Sequence, residues 1–238
     1  MLQIFFYLVG CFILSNAVSV SYIKPCKPDD KPCLLSSAQN AIPYFAAGIP
    51  EFGMPPADPL DVGTVRSDDK DLKLGFRNLK IYGASKCKFV DLSRDVVKPS
   101  ISMSLDCPIR ASGQYDMKGK ILFIEAYGDG DFEINTNKAR INVETKMKNV
   151  DGADGKKHWK IASFDYSYDL TDKVDLRFDN LFDGDETRAK PVKDVLKHSS
   201  KELVIELGGP IVKELLDKVI HIVNKFYHEV PAENLEIA

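Results

Sequence analysis

Hydrophobic residues fall into three successive spacing regimes along this chain of 238 residues. The first runs over residues 34–47, where Leu34, Leu35, Ala38, Ile42 and Phe45 share one face of a helix. Pro43 is expected to kink or restart that helix, because it lacks the amide donor and its ring crowds the preceding turn. From Gly48 to Leu60 proline is too frequent for a helix or a central strand, so this stretch reads as an extended loop. From about Val65 to Phe182 the period is two. Ile141, Val143, Thr145 and Met147 alternate with charged or polar neighbours; Phe164, Tyr166, Tyr168 and Leu170 share a face, and Ile121 and Phe123 alternate with Leu122 and Ile124. Gly128-Asp-Gly130 and Asp151 to Gly155 read as turns between strands.

From Arg188 to His228 the period returns to 3.6. Ile211, Leu215, Val219, Ile222 and Phe226 form a stripe, and Gly208-Gly209-Pro210 must bend or break the helical segment upstream of it. The part after Pro210 is about 20 residues, roughly 30 Å long. A stripe of that length needs an equally long partner, and the strands are the only candidate. The expected fold is therefore α+β: a highly curved antiparallel sheet (a super-roll) wrapped around one long C-terminal helix, with a short N-terminal helix. No helix intervenes between the strands, which argues against a parallel α/β sheet.

Residues 1–19 change the picture of where the chain works. Leu2 to Leu14 is nearly continuous apolar sequence followed by small residues, which predicts a signal peptide cleaved after Ala17 or Ser19. A single domain over 20–238 and a secreted, extracellular protein follow. The apolar run is too short to cross a bilayer, so no stable membrane anchor is expected. Cys11 would leave with the leader. The remaining Cys26, Cys33, Cys87 and Cys107 allow three connectivities in an oxidising compartment. Pairing nearest neighbours gives Cys26–Cys33 and Cys87–Cys107, contributing about 2.5 and about 3 kcal/mol by chain entropy.

Candidate chemistry is sparse. A net charge of -3 offers no basic field for nucleic acid. Gly83-Ala-Ser-Lys-Cys87 lacks the second glycine of a nucleophile elbow, and His228-Glu229 is followed by Val-Pro rather than completing a zinc helix. Asp129, Asp131 and Glu133 have the first spacings of a calcium loop, but Ile134 stands where its glycine belongs. His221 and His228 lie too far apart to chelate one metal. Neither a catalytic constellation, a metal site nor a cofactor is expected, and an enzyme is not.

The chain resembles the insect takeout and juvenile-hormone-binding protein family. The resemblance rests on Cys26…Cys33-Leu34, Gly48-Ile-Pro-Glu51 leading to Asp58-Pro-Leu60, Gln114-Tyr-Asp-Met-Lys-Gly119 with Gly128-Asp-Gly130, Asn180-Leu-Phe-Asp-Gly184, and the ending Phe226-Tyr-His-Glu-Val-Pro231. It implies the super-roll, the Cys26–Cys33 bridge, a hydrophobic tunnel for a small lipid-like ligand such as a juvenile-hormone-like terpenoid or a fatty acid, and a link to circadian or feeding physiology.

The expected tunnel has its mouth near the short helix and the proline-rich loop. Ile42, Phe45, Ile49, Phe52 and Met54 face it from that end, and Ile211, Leu215, Val219 and Ile222 from the long helix. Tyr115, Phe123 and Tyr127 are the aromatic candidates on the sheet, with the two tyrosine hydroxyls as polar anchors. The expected molecule is a monomeric carrier; the competing reading is an extracellular signalling or interaction protein with a closed cavity.

Overall fold

A computed structural model describes residues 20–237. The leader expected over residues 1–19, with Cys11, lies outside the described residues. Helix α1 spans Lys31–Ala47, and its first turn is capped by Asp30, whose carboxylate accepts from the Cys33 amide at 3.1 Å. It runs through Pro43 as one element, contrary to the expected restart. Pro43 lies on the exposed side, where water can serve the carbonyl that loses its partner.

Seven strands follow: β1 (Leu60–Arg66), β2 (Leu72–Tyr82), β3 (Lys88–Asp95), β4 (Ser100–Ile121), β5 (Ile124–Asp151), β6 (Lys157–Leu170) and β7 (Val174–Phe178). They form one antiparallel sheet in the order β1-β2-β4-β5-β6, with β3 added on β4 and β7 on β5. The 22-residue β4 and 28-residue β5 make a ribbon along the whole molecule. At the end holding the β4–β5 turn, β2 and β7 flank the ribbon; at the other, β3 and β6 do. The change of flank falls at a register shift between Cys107 and Ile109, where Pro108 cannot donate to the ladder.

The β4–β5 turn sits at Leu122-Phe123, with Leu122 at φ 58°. Gly128-Asp-Gly130 is not a turn but part of β5. Its glycines serve close approach instead. A Cβ at Gly128 would fall 2.5 Å from the Tyr115 hydroxyl, and one at Gly130 2.5 Å from the Asp179 carbonyl.

The C-terminal helical region divides into α2 (Glu186–His198), α3 (Ser200–Leu207) and α4 (Gly209–Glu229). Gly208-Gly209-Pro210 breaks it as expected, and Pro210 sits in the first turn of α4, where its missing donor costs nothing. Helix α4 lies along the concave side of the sheet, with Leu216, Ile222 and Phe226 buried. The fold is thus a strongly curled antiparallel sheet around one long helix. Both disulfides follow nearest-neighbour pairing: Cys26–Cys33 with Cα atoms 5.7 Å apart and Cys87–Cys107 with Cα atoms 4.2 Å apart.

Candidate ligand-binding cavity

Between α1, the concave face of the sheet and the C-terminal half of α4 lies a cavity of about 370 Å³. Its sheet wall comes from strict alternation. Ile101, Met103 and Leu105 on β4 stand opposite Thr145, Val143 and Ile141 on β5, and all six border the hollow. Ile42, Phe45 and Ala38 close it from α1, and Leu215, Val219, Ile222 and Val223 from α4. Cys26, Cys87 and Cys107 also border it, so both disulfides brace its wall. A second cavity, of about 60 Å³, lies toward the other end among Leu74, Phe76, Ile134, Phe178, Leu203 and Ile211. One turn of α4 separates Ile211, on the small hollow, from Leu215, on the large one, so both hollows lie along the same helix.

Of the residues expected to face a ligand, Ile42, Phe45, Leu215, Val219 and Ile222 border the large cavity. Leu215 and Val219 keep accessible surface because they face that hollow. Ile49 and Met54 pair with each other across a small bridge and are buried beneath the wall, and Phe52 packs on Phe226 with ring centroids 6.0 Å apart.

The three sheet aromatics require correction. Phe123 is 82% exposed at the β4–β5 turn. Tyr115 is fully buried, and its hydroxyl donates to the Asp179 carbonyl at 2.7 Å, which leaves no donor for a ligand. Burial, with Asp179 nearby, pushes that phenol well above its ordinary value. Tyr127 accepts a hydrogen bond from Arg188 at 3.1 Å and packs edge-on against Phe182, outside both cavities.

The polar groups that do reach the large cavity are different ones: Arg94, Thr145, Trp159 and Tyr227, with Ser37 and Lys24 near α1. The Thr145 hydroxyl donates to the Ile101 carbonyl at 3.0 Å, and the Ser37 hydroxyl to the Lys24 carbonyl at 2.8 Å. Tyr227 is partly buried, and burial pushes its phenol up to about 12 although Arg94 pulls the other way. The Ser-Ile-Ser-Met-Ser-Leu alternation of residues 100–105 could have revealed the β4 wall in advance.

Among the described residues no group of three or more His, Cys, Asp or Glu side chains could hold a metal ion, and no helix is long and apolar enough to cross a membrane.

A sheet rolled around one helix, with an apolar hollow between them, defines a cavity-bearing wrapped-helix protein. More particularly, the chain belongs to the haemolymph juvenile hormone binding protein family, whose family model matches residues 6–236. It is 26% identical over 226 residues to the circadian clock-controlled protein daywake of Drosophila yakuba, covering 89% of this chain and 85% of that protein. It is 31% identical over 81 residues, 33% of this chain and 35% of that one, to a juvenile hormone-binding protein of Manduca sexta. The crystal structure of Takeout 1 from Epiphyas postvittana superposes with a TM-score of 0.87 at 23% identity, covering 91% of this chain and all of that one. That likeness establishes the shared fold.

Proposed function

We propose that this protein is a secreted, monomeric carrier of a small hydrophobic ligand, held in the large cavity. The observation that carries this reading is the hollow itself, about 370 Å³ lined almost wholly by aliphatic, aromatic and sulfur-bearing side chains. An empty apolar space of that size forgoes packing worth on the order of 9 kcal/mol, comparable to the net stability of a domain. An apolar ligand recovers part of that loss. Both disulfides and the haemolymph family support an oxidising extracellular setting. A sesquiterpenoid ester or a fatty-acid-like lipid is the ligand class, and a mouth near α1 and the Gly48–Leu60 loop is the entry. The daywake relatives favour a clock-timed physiological role for this chain, which sampling its abundance around the day tests.

Binding is tested by titration with a fluorescent apolar probe, a sesquiterpenoid ester and a long-chain fatty acid. Burying roughly 400 Å² of apolar surface gains about 10 kcal/mol gross. Association costs leave a dissociation constant of about 1 µM or tighter. Folded Phe45→Asp and Leu215→Asp variants should bind far more weakly. No binding tighter than about 100 µM, or unchanged binding by both folded variants, removes the carrier reading in favour of an interaction protein.

A further inference from the structure

At the end of the large cavity formed by β3, β6 and the last turn of α4, the apolar wall gives way to a small polar cluster. Arg94 projects there from β3 with only 8% of its side chain exposed. Its Nε donates to the Glu236 carboxylate at 3.0 Å, and its Nη1 donates to the carbonyls of Asp95 and Ser100 at 2.5 and 3.3 Å. Among the described residues Nη2 has no acceptor. The guanidinium lies 5.0 Å from the centre of the Trp159 ring, which packs edge-on against Tyr227. The Tyr227 hydroxyl likewise finds no acceptor among the described residues, while its carbonyl is held from behind by His158 Nδ1 at 2.9 Å. Two donors thus remain unused on residues that line one end of an otherwise apolar hollow, and the neighbours of both are fixed. Neither atom is fully buried, so a ligand oxygen that accepts from both takes the place of water there.

We infer that Arg94 and Tyr227 receive the head of the ligand, that the head is a neutral carbonyl such as an ester, and that Glu236 excludes carboxylates from this position. The inference rests on the carrier reading and adds the chemistry of the ligand's polar end. The charge balance decides between ester and acid. Arg94 is already neutralised by Glu236, so an incoming carboxylate meets a pair of zero net charge. It gains little attraction, lies close to a second carboxylate, and still loses its hydration. A neutral carbonyl uses the same two donors without those costs. Glu236 is available for this role because the C-terminal segment is pinned: the Ile237 amide donates to the Cys26 carbonyl at 2.9 Å, and Cys26 is fixed by its disulfide.

The test is displacement of a fluorescent apolar probe near neutral pH by three compounds of one chain length: a straight-chain fatty acid, its methyl ester and the corresponding alkane. Wild type should bind the ester about tenfold more tightly than the acid or the alkane. Tyr227→Phe keeps the ring packing and removes only the hydroxyl, so ester affinity should fall about tenfold while alkane affinity stays constant. Glu236→Gln keeps an acceptor for Arg94 Nε and removes the charge, so acid affinity should rise about tenfold with the ester little changed. Acid binding as tight as ester in wild type, an unchanged ester affinity in Tyr227→Phe, or an unchanged acid affinity in Glu236→Gln overturns the proposal while leaving the carrier reading intact. Failure of the ester and the alkane alike to displace the probe from wild type removes both.

Discussion

The two ends of the roll share the β4–β5 ribbon and the α4 helix, yet one is filled and the other hollow. At the filled end, Phe76 and Tyr115 are cross-strand partners, as are Phe132 and Phe178. Their rings interlock, with centroids 4.6 Å apart for Phe76–Phe132 and 4.8 Å for Tyr115–Phe178, and the cavity beside them is about 60 Å³. At the hollow end the equivalent partners are smaller, Ile101 with Thr145 and Met103 with Val143, and about 370 Å³ stays open. Side-chain volume, not strand geometry, decides where the hollow lies. Stability is divided accordingly. Ring packing holds the filled end, whereas both disulfides lie at the hollow end and contribute roughly 5–6 kcal/mol together by chain entropy. Covalent bracing stands there in place of the packing that an empty cavity omits.

The largest expected contrast comes from truncating one side chain at each end. Phe178→Ala should destabilise by about 3–5 kcal/mol, since its ring fills a closed aromatic cluster. Leu215→Ala should cost about 2 kcal/mol, the low end for such a change, because a cavity already lies beside it. Urea denaturation of both variants checks the pair. Equal costs would mean that the hollow end is as tightly packed as the other.

Removing the Cys87–Cys107 bridge by a double alanine substitution should cost about 3 kcal/mol. Hydrogen exchange should then quicken first in β3 and the adjoining part of β4, with the amides of β2 and β7 protected longer. Faster exchange at β2 and β7 would place the weak end of the roll on the wrong side. Overpacking gives a smaller difference. Ala126→Phe at the filled end should cost about 1–3 kcal/mol. Val143→Phe should cost less, because it points into open space, and should weaken binding of the apolar probe. A larger cost for Val143→Phe breaks the comparison.

Legibility in the sequence followed the same division. The period-two runs of β5 and β6 and the stripe on α4 were readable because one face of each is polar; the wrapped-helix fold followed from the length of that stripe and the strands that had to cover it. Placement of the site residues was harder. Leu122-Phe123 carries no glycine or proline, so nothing announced a turn there, and Phe123 was read as a strand residue when it stands at the tip. Gly128 and Gly130 looked like that turn but answer to Tyr115 and to the chain at Asp179. Tyr115 and Tyr127 were indistinguishable from cavity residues because parity along a strand does not say which length of the roll is hollow. Arg94 was invisible as a cavity group, since its partner Glu236 is 142 residues away.

The smallest expected effect lies at the waist between the two ends. Asp106 on β4 faces Arg140 on β5, with Arg140 Nε donating at 2.6 Å and Nη2 at 2.7 Å, and Lys138 lies 3.1 Å away. The hydrogen bonds from Arg140 and then Lys138, opposed by partial burial, hold the Asp106 carboxyl down at about 2. Its folded value is below the unfolded one of about 3.9, so the charged form stabilises the fold. That contribution is fully present above about pH 4 and is lost as pH falls through about 2. Because the groups around Asp106 remain in contact with solvent, its size is on the order of 1 kcal/mol rather than the full linkage value. Asp106 sits beside Cys107, where the ribbon changes flanks, so the loss should loosen both ends together rather than the hollow end alone. Stability measured between pH 5 and pH 2, quantities set by the carboxylate range, should fall less steeply in Asp106→Asn than in wild type. Parallel slopes would show that the waist contributes nothing to acid sensitivity, and an effect confined to probe binding would assign Asp106 to the hollow end.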